Sequence, residues 1–189
     1  MCYVCPWWSA PLTIAPPYRR WLHDPERVVG CYVRPGMTVI DVGCGVGWFS
    51  VPMARMVGER GKVIAVDLQQ QMLNMLRRRA EKAGMTDRIE LHKCEKNRLG
   101  IDAEADFALV FAMLHELPDQ GRLLGEVYRC LKRGGMMLLA EPPFHVTRKK
   151  FAKEVAVAEA AGFEILGLPR VRWSHATLFV KADPPPRRA

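Results

Sequence analysis

The residues with the most capacity for chemistry in this 189-residue chain are two acids bracketing a run of glycines: Asp41, then Gly43, Gly45 and Gly47, then Asp67. Residues 38–42 are β-branched and apolar apart from Asp41, and read as a buried strand. Residues 48–57 follow with helical spacing. A strand, a Gly-rich turn and a helix form a corner where backbone can approach a ligand with no Cβ in the way. That corner lies at the carboxyl end of the strand, where open α/β sheets bind ligands. A dinucleotide site wants G-x-G-x-x-G. Here the third glycine comes one position early and Trp48 takes its place. A carboxylate two positions before the first glycine suits a ligand with a positive amino group better than a pyrophosphate. Residues 62–67 read as a second strand ending in Asp67. It lies about 20 residues beyond the glycines, where a βαβ unit places a carboxylate against ribose hydroxyls.

The run Val39-Ile40-Asp41-Val42-Gly43-Cys44-Gly45-Val46-Gly47, with Asp67 closing the next strand, resembles the class I S-adenosylmethionine (SAM)-dependent methyltransferases. The resemblance continues in Leu114-His115-Glu116-Leu117-Pro118, similar to a Leu-His-x-Leu-Pro segment of small-molecule methyltransferases, and in Leu131-Lys132-Arg133-Gly134-Gly135 ahead of an apolar stretch ending Glu141-Pro142. It covers residues 36–143. It implies a Rossmann-like α/β three-layer sandwich, with a seven-stranded, mostly parallel sheet whose last strand is antiparallel. It also implies SAM as cofactor. Gly43, Cys44, Gly45 and Gly47 would form the cofactor turn, Asp41 would sit near the methionyl amino group, and Asp67 would accept from the ribose. Leu68 and Gln69 would flank adenine and Glu95 would reach its edge. Ala112 and Met113, at the end of the fourth strand, complete the cofactor-binding set.

The elements that must position these residues can be read in order. Asp24 caps a helix with Pro25 at its first position, running to about residue 32. Pro35-Gly36 turns into the first strand. Residues 69–83 are an amphipathic helix ended by Gly84. Residues 88–92 read as the third strand and 105–112 as the fourth. A helix spans 119–131, Arg133-Gly134-Gly135 turns into the fifth strand at 136–140, and a helix spans 147–161. Residues 163–168 and 176–181 read as the final strand pair. The expected organisation is an N-terminal Trp/Pro-rich arm and helix over residues 1–35, the SAM-binding domain over 36–182, and a disordered tail over 183–189. The arm carries Trp7 and Trp8, and either lies across the domain near the cofactor or packs elsewhere, since aromatic enrichment marks interfaces of both kinds.

Composition is that of an ordinary globular protein, 49% hydrophobic and 25% charged. No apolar run approaches the roughly 18 residues of a membrane span. No basic start with an apolar core marks a signal peptide, so the expected location is cytoplasmic. The six cysteines read as free thiols. Cys2 and Cys5 form a C-x-x-C pair with no partner pair, so no metal site is expected. The net charge of +8 is spread over scattered basic clusters that read as solvated faces. Nucleic acid is therefore the less favoured partner, and no membrane partner is expected. The oligomeric state is not legible.

Methyl transfer needs alignment more than an elaborate catalytic group. The acid–base candidates are His115, Glu116 and Glu141, all at carboxyl ends of strands; His115, with a pKa that can sit near neutrality, comes first, although a histidine here in the resembled family often only packs beside the cofactor. Glu141 reads as a structural feature of the fold. The Asp/Asn-Pro-Pro-aromatic grip of amino-methylating nucleic-acid enzymes is absent after the fourth strand. The expected function is methylation of a small-molecule acceptor, in a pocket shaped by the arm, the 97–103 loop and the loop after Glu141. An RNA or protein acceptor is the second reading. A non-catalytic SAM-binding partner protein is the third, because binding alone would preserve the same motifs.

Overall fold

The structure is a computed structural model that describes residues 7–9, 19–96 and 98–182. Cys2, Cys5, most of the N-terminal arm, Asn97 and the tail from residue 183 lie outside the described residues. The expected seven strands form one sheet in the order β3-β2-β1-β4-β5-β7-β6. They are β1 (Thr38–Val42), β2 (Lys62–Asp67), β3 (Ile89–Lys93), β4 (Ala105–Phe111), β5 (Leu131–Glu141), β6 (Glu164–Gly167) and β7 (His175–Val180). Strands β1 to β5 pair in parallel, while β7 runs antiparallel to both β5 and β6. The chain direction across the sheet reverses between β1 and β4, the switch point where such sheets bind ligands.

Among the described residues there are six α-helices: α1 (Arg19–Leu22), α2 (Pro25–Val29), α3 (Ser50–Val57), α4 (Gln70–Ala83), α5 (Gln120–Cys130) and α6 (Arg148–Ala160). Their starts follow from local chemistry. Asp24, Asp119 and Thr147 each cap a helix by accepting a backbone N–H, from Glu26, Arg122 and Lys150. Gly84 ends α4 in the left-handed conformation.

The period of two along the central strands builds two cores. Val39, Phe107 and Leu109 face α2, α3 and α4, whereas Ile40, Ala108 and Val110 face α5 and α6. Val28, Val29 and Val33, from α2 and the turn after it, belong to the first core. Each large apolar side chain buried there contributes about 1.5–3 kcal/mol.

One element differs from the sequence expectation. Arg133-Gly134-Gly135 does not precede β5 but lies within it. Leu131 already pairs with Ala105, and the register then slips before Phe107 meets Met136. Gly134 takes a φ of 73°, and its N–H donates to the Lys181 carbonyl at 2.8 Å. The two glycines thus form an irregularity that keeps pairing with the neighbouring strand, instead of breaking the chain away.

Candidate cofactor and active site

The glycine turn is held to the end of β2 by backbone. Gly43 and Cys44 donate to the Val66 carbonyl at 2.9 and 3.0 Å. Gly43, Gly45 and Gly47 all have positive φ, at 71°, 52° and 80°. A Cβ on Gly47 would also come within 2.1 Å of Leu76 Cδ1, on α4. Gly47→Ala combines backbone strain with a buried clash, and is expected to cost about 2–4 kcal/mol of stability, read as a lowered denaturation midpoint at unchanged m-value.

Asp67 joins the two loops that face each other across this corner. Its Oδ2 accepts from Gly45 N–H at 2.9 Å and its Oδ1 from Gln69 N–H at 2.8 Å. It is 8% exposed. Burial raises its pKa, against the opposing effect of the N–H groups of Gln69, Gly45 and Leu68. A cleft of about 930 Å³, counted out to its open mouth, begins at Asp67 and runs towards Leu117 and Leu123. Gly43, Gly45, Asp67, Leu68, Gln69, Glu95, Ala112 and Met113 line it. Cys94 lines it as well, as do Lys96 and Arg98, which were not expected there. Burial, reinforced by the nearby charge of Asp67, raises the Cys94 thiol to about 11, so it stays protonated and is no nucleophile near neutral pH. Among the described residues no cluster of His, Cys, Asp or Glu is placed to hold a metal.

Four of the expected site residues do not line the cleft: the candidate base His115, described below, and Asp41, Cys44 and Gly47 at the glycine turn. Asp41 is 3% exposed behind the turn and accepts from Ser50 Oγ at 2.5 Å. It thereby ties β1 to the start of α3. Gly47 packs on Leu76, and Cys44 is buried. Of the aromatic arm, Trp7–Ser9 is described as a single 3-10 turn, and the Trp7 N–H donates to Gln69 Oε1 at 3.2 Å, at the edge of the cleft.

Beyond Met113 the chain makes a second polar centre. Ala112 holds φ at 54°, a conformation costing a non-glycine residue about 1–2 kcal/mol. Its N–H donates to the Ala140 carbonyl at 2.8 Å, which anchors the kink to β5. The turn after it carries His115, whose Nδ1 lies 2.6 Å from Glu141 Oε2. Glu141 has no exposed surface, and its Oε1 accepts from the N–H groups of Leu114 and His115 at 2.7 and 3.3 Å. On His115, burial lowers the pKa, but the hydrogen bond and charge of Glu141 outweigh it, and the net shift is upward. The ring of His145 stacks on that of His115, 5.3 Å away and 5° from parallel. Glu141 is thus the orienting partner of His115 and not only a feature of the fold. The sequence could not pair them, since 26 residues separate the two.

The corner fits SAM on its own chemistry. A buried carboxylate with lone pairs to spare faces an apolar cleft, between two loops whose glycines bring backbone to the surface. Comparison with known proteins agrees. The family model described as "Methyltransferase domain" matches residues 39–135, just over half of the chain. The ubiquinone/menaquinone biosynthesis C-methyltransferase UbiE of Escherichia coli is 33% identical over 110 residues, covering 58% of this chain and 44% of the relative. This chain thus matches less than half the length of those curated relatives. A SAM-dependent methyltransferase from Aquifex aeolicus superposes with a TM-score of 0.80 at 28% identity, covering 88% of this chain and 94% of that one. The [4+2]-cyclase SpnF superposes at 0.65 with 25% identity, covering 77% and 57%. From the glycine turn to β5, then, the chain belongs to the class I SAM-dependent methyltransferases.

Proposed function

We propose that the chain methylates a small-molecule acceptor whose acceptor group gives up a proton to His115. SAM, when bound, supplies the electrophilic methyl carbon together with its own leaving group. Asp67 accepts from the ribose hydroxyls through the lone pairs left by Gly45 and Gln69. Leu68 and Gln69 flank the adenine, and Glu95 reaches its edge. Gly43 and Gly45 give backbone access to the amino-acid end. Asp41 acts on that end by its charge from behind the turn, not by contact. Ala112 and Met113 separate the adenosine cleft from the acceptor side. Residues 36–182 are the catalytic domain in this reading, and Trp7 meets its edge at Gln69.

His115 is the residue that moves a proton. With Nδ1 donating to Glu141, Nε2 is the nitrogen left to take one. Orientation can supply on the order of 7–11 kcal/mol of the barrier, and a positioned base a further 10²- to 10⁴-fold, roughly. The observation that carries this reading is the fixed sequence of groups along the strand ends: Asp67 on the cleft, the Ala112 kink at the switch point, then His115 locked by a fully buried Glu141. The E. coli relatives are named as C-methyltransferases, and a ring carbon activated by a neighbouring hydroxyl needs a base for that hydroxyl's proton.

The test is transfer of radiolabelled methyl from SAM to hydroxylated aromatics and quinols, with thiols and bulk RNA alongside. Label in a small hydroxylated acceptor supports the proposal. Label in RNA alone overturns it in favour of the second reading. SAM that binds but never yields S-adenosylhomocysteine overturns it in favour of a binding protein.

A further inference from the structure

Behind His115 lies a second buried acid that the proposed reaction leaves unused. Glu154 shares the inward stripe of α6 with Phe151 and Ala158, and is 4% exposed. An ionised carboxylate in such a place is costly unless it is paired. Glu154 is poorly paired. Its Oε1 accepts from Gln120 Nε2 at 3.3 Å, and the same amide also donates to the Leu114 carbonyl at 3.1 Å. Its Oε2 has no hydrogen-bond partner among the described residues.

Glu141 stands in contrast, with three donors: the N–H groups of Leu114 and His115, and the His115 ring. Two buried carboxyls beside one imidazole cannot both ionise cheaply. The count of donors decides which does. Three donors stabilise charge on Glu141, whereas one shared amide does little for Glu154. A neutral acid with one unmet polar atom costs far less than an unmet charge.

We infer that Glu154 keeps its proton up to about neutral pH and titrates together with His115 as one unit, as a positioning residue for the base. Its catalytic meaning rests on the proposal that His115 is that base; the protonation pattern does not. The groups facing Glu154 are His115 from the turn after β4, Gln120 from α5, Glu141 from β5 and Lys150 from its own helix. Burial and the charge of Glu141 raise its pKa to about 7, against the lowering effect of His115, Gln120 and Lys150. Below that pH, Glu141 is the buried anion acting on His115. Above it Glu154 adds a second negative charge, which keeps the imidazole protonated to higher pH. His145 stacks on His115, and Glu116 adds charge on the same turn, so both stay constant in the comparison below.

The experiment is an NMR titration of the His115 ring in the wild-type chain and in Glu154→Gln, with infrared detection of a protonated carboxyl on the acid side of neutrality. The wild type is expected to show a two-step His115 titration and a carboxylic-acid C=O band. In E154Q that band is lost, and His115 titrates in one step at lower pH, shifted on the order of one unit, the coupling at which two groups titrate as a pair. An unshifted one-step His115 curve in both proteins overturns the inference, as does a band that persists in E154Q. Were E154Q unable to fold, the wild-type curve and band still decide. If the coupling is present but His115 variants turn over normally, the inference stands and only the role of His115 as the base is lost.

Discussion

Asp67→Ala is expected to weaken SAM binding by about 100-fold or more in a calorimetric titration. Two hydrogen bonds from ribose hydroxyls to a charged acceptor contribute about 1.5–3 kcal/mol each, and alanine removes both. It also releases Gly45 and Gln69, whose N–H groups Asp67 now holds. Amide exchange at those two residues should therefore speed up even without cofactor. Asp67→Asn keeps the shape but turns one acceptor oxygen into a donor, and should fall between the two. Acid has the same effect by another route. Because burial raises the pKa of Asp67, affinity should fall on acidification at a higher pH than an exposed aspartate would allow. An Asp67→Ala protein that binds SAM like the wild type would mean the cofactor lies elsewhere.

The second large effect concerns the base. His115→Gln should lower the turnover rate roughly 10²- to 10⁴-fold with little change in SAM affinity. Glu141→Gln should cost about as much, for a specific reason. Glu141 Oε2 now faces Nδ1 of His115, which fixes the proton on that nitrogen. A glutamine amide turned to Nδ1 would donate to it, and the proton would move to Nε2, the position that has to be vacant for a base. The double variant should be no worse than either single one, because both remove one function. Additive losses would show that the two residues act separately.

The pH dependence follows in sign from the raised pKa of His115. A base must be neutral, so the rate should climb as pH rises through that pKa, above the ordinary histidine value. Stability runs the other way. The charged imidazole gains Glu141 in the folded state, so its contribution is fully present below the unfolded pKa and is lost as pH rises through the folded one. Thermal midpoints of the wild type should therefore drop across the interval where activity climbs. In His115→Gln that component of the drop should vanish.

Much of this protein was decided by local chemistry and is legible in the chain. The alternation along residues 38–42 and 105–111, the caps at Asp24, Asp119 and Thr147, and Gly84 as a helix stop are all short-range effects, and each element formed within a few residues of where its pattern placed it. The glycine turn and Asp67 were legible for the same reason, since a tight turn and a strand-end acid are readable at fixed spacing. Tertiary structure alone decided three things. It placed Asp41 behind the turn, because a strand residue's side depends on register and on what packs there, here Ser50. It kept Gly134 and Gly135 inside β5, because pairing with Lys181 outweighed their tendency to break a strand. And it brought His115, Glu141 and Glu154 together from a turn, a strand end and a helix, groups that sheet order joins and sequence distance hides. Glu154 did leave one trace in the sequence: an acid midway between Phe151 and Ala158 on an apolar stripe. A charge in that position has to be neutralised, and only the fold shows which neighbours make it so.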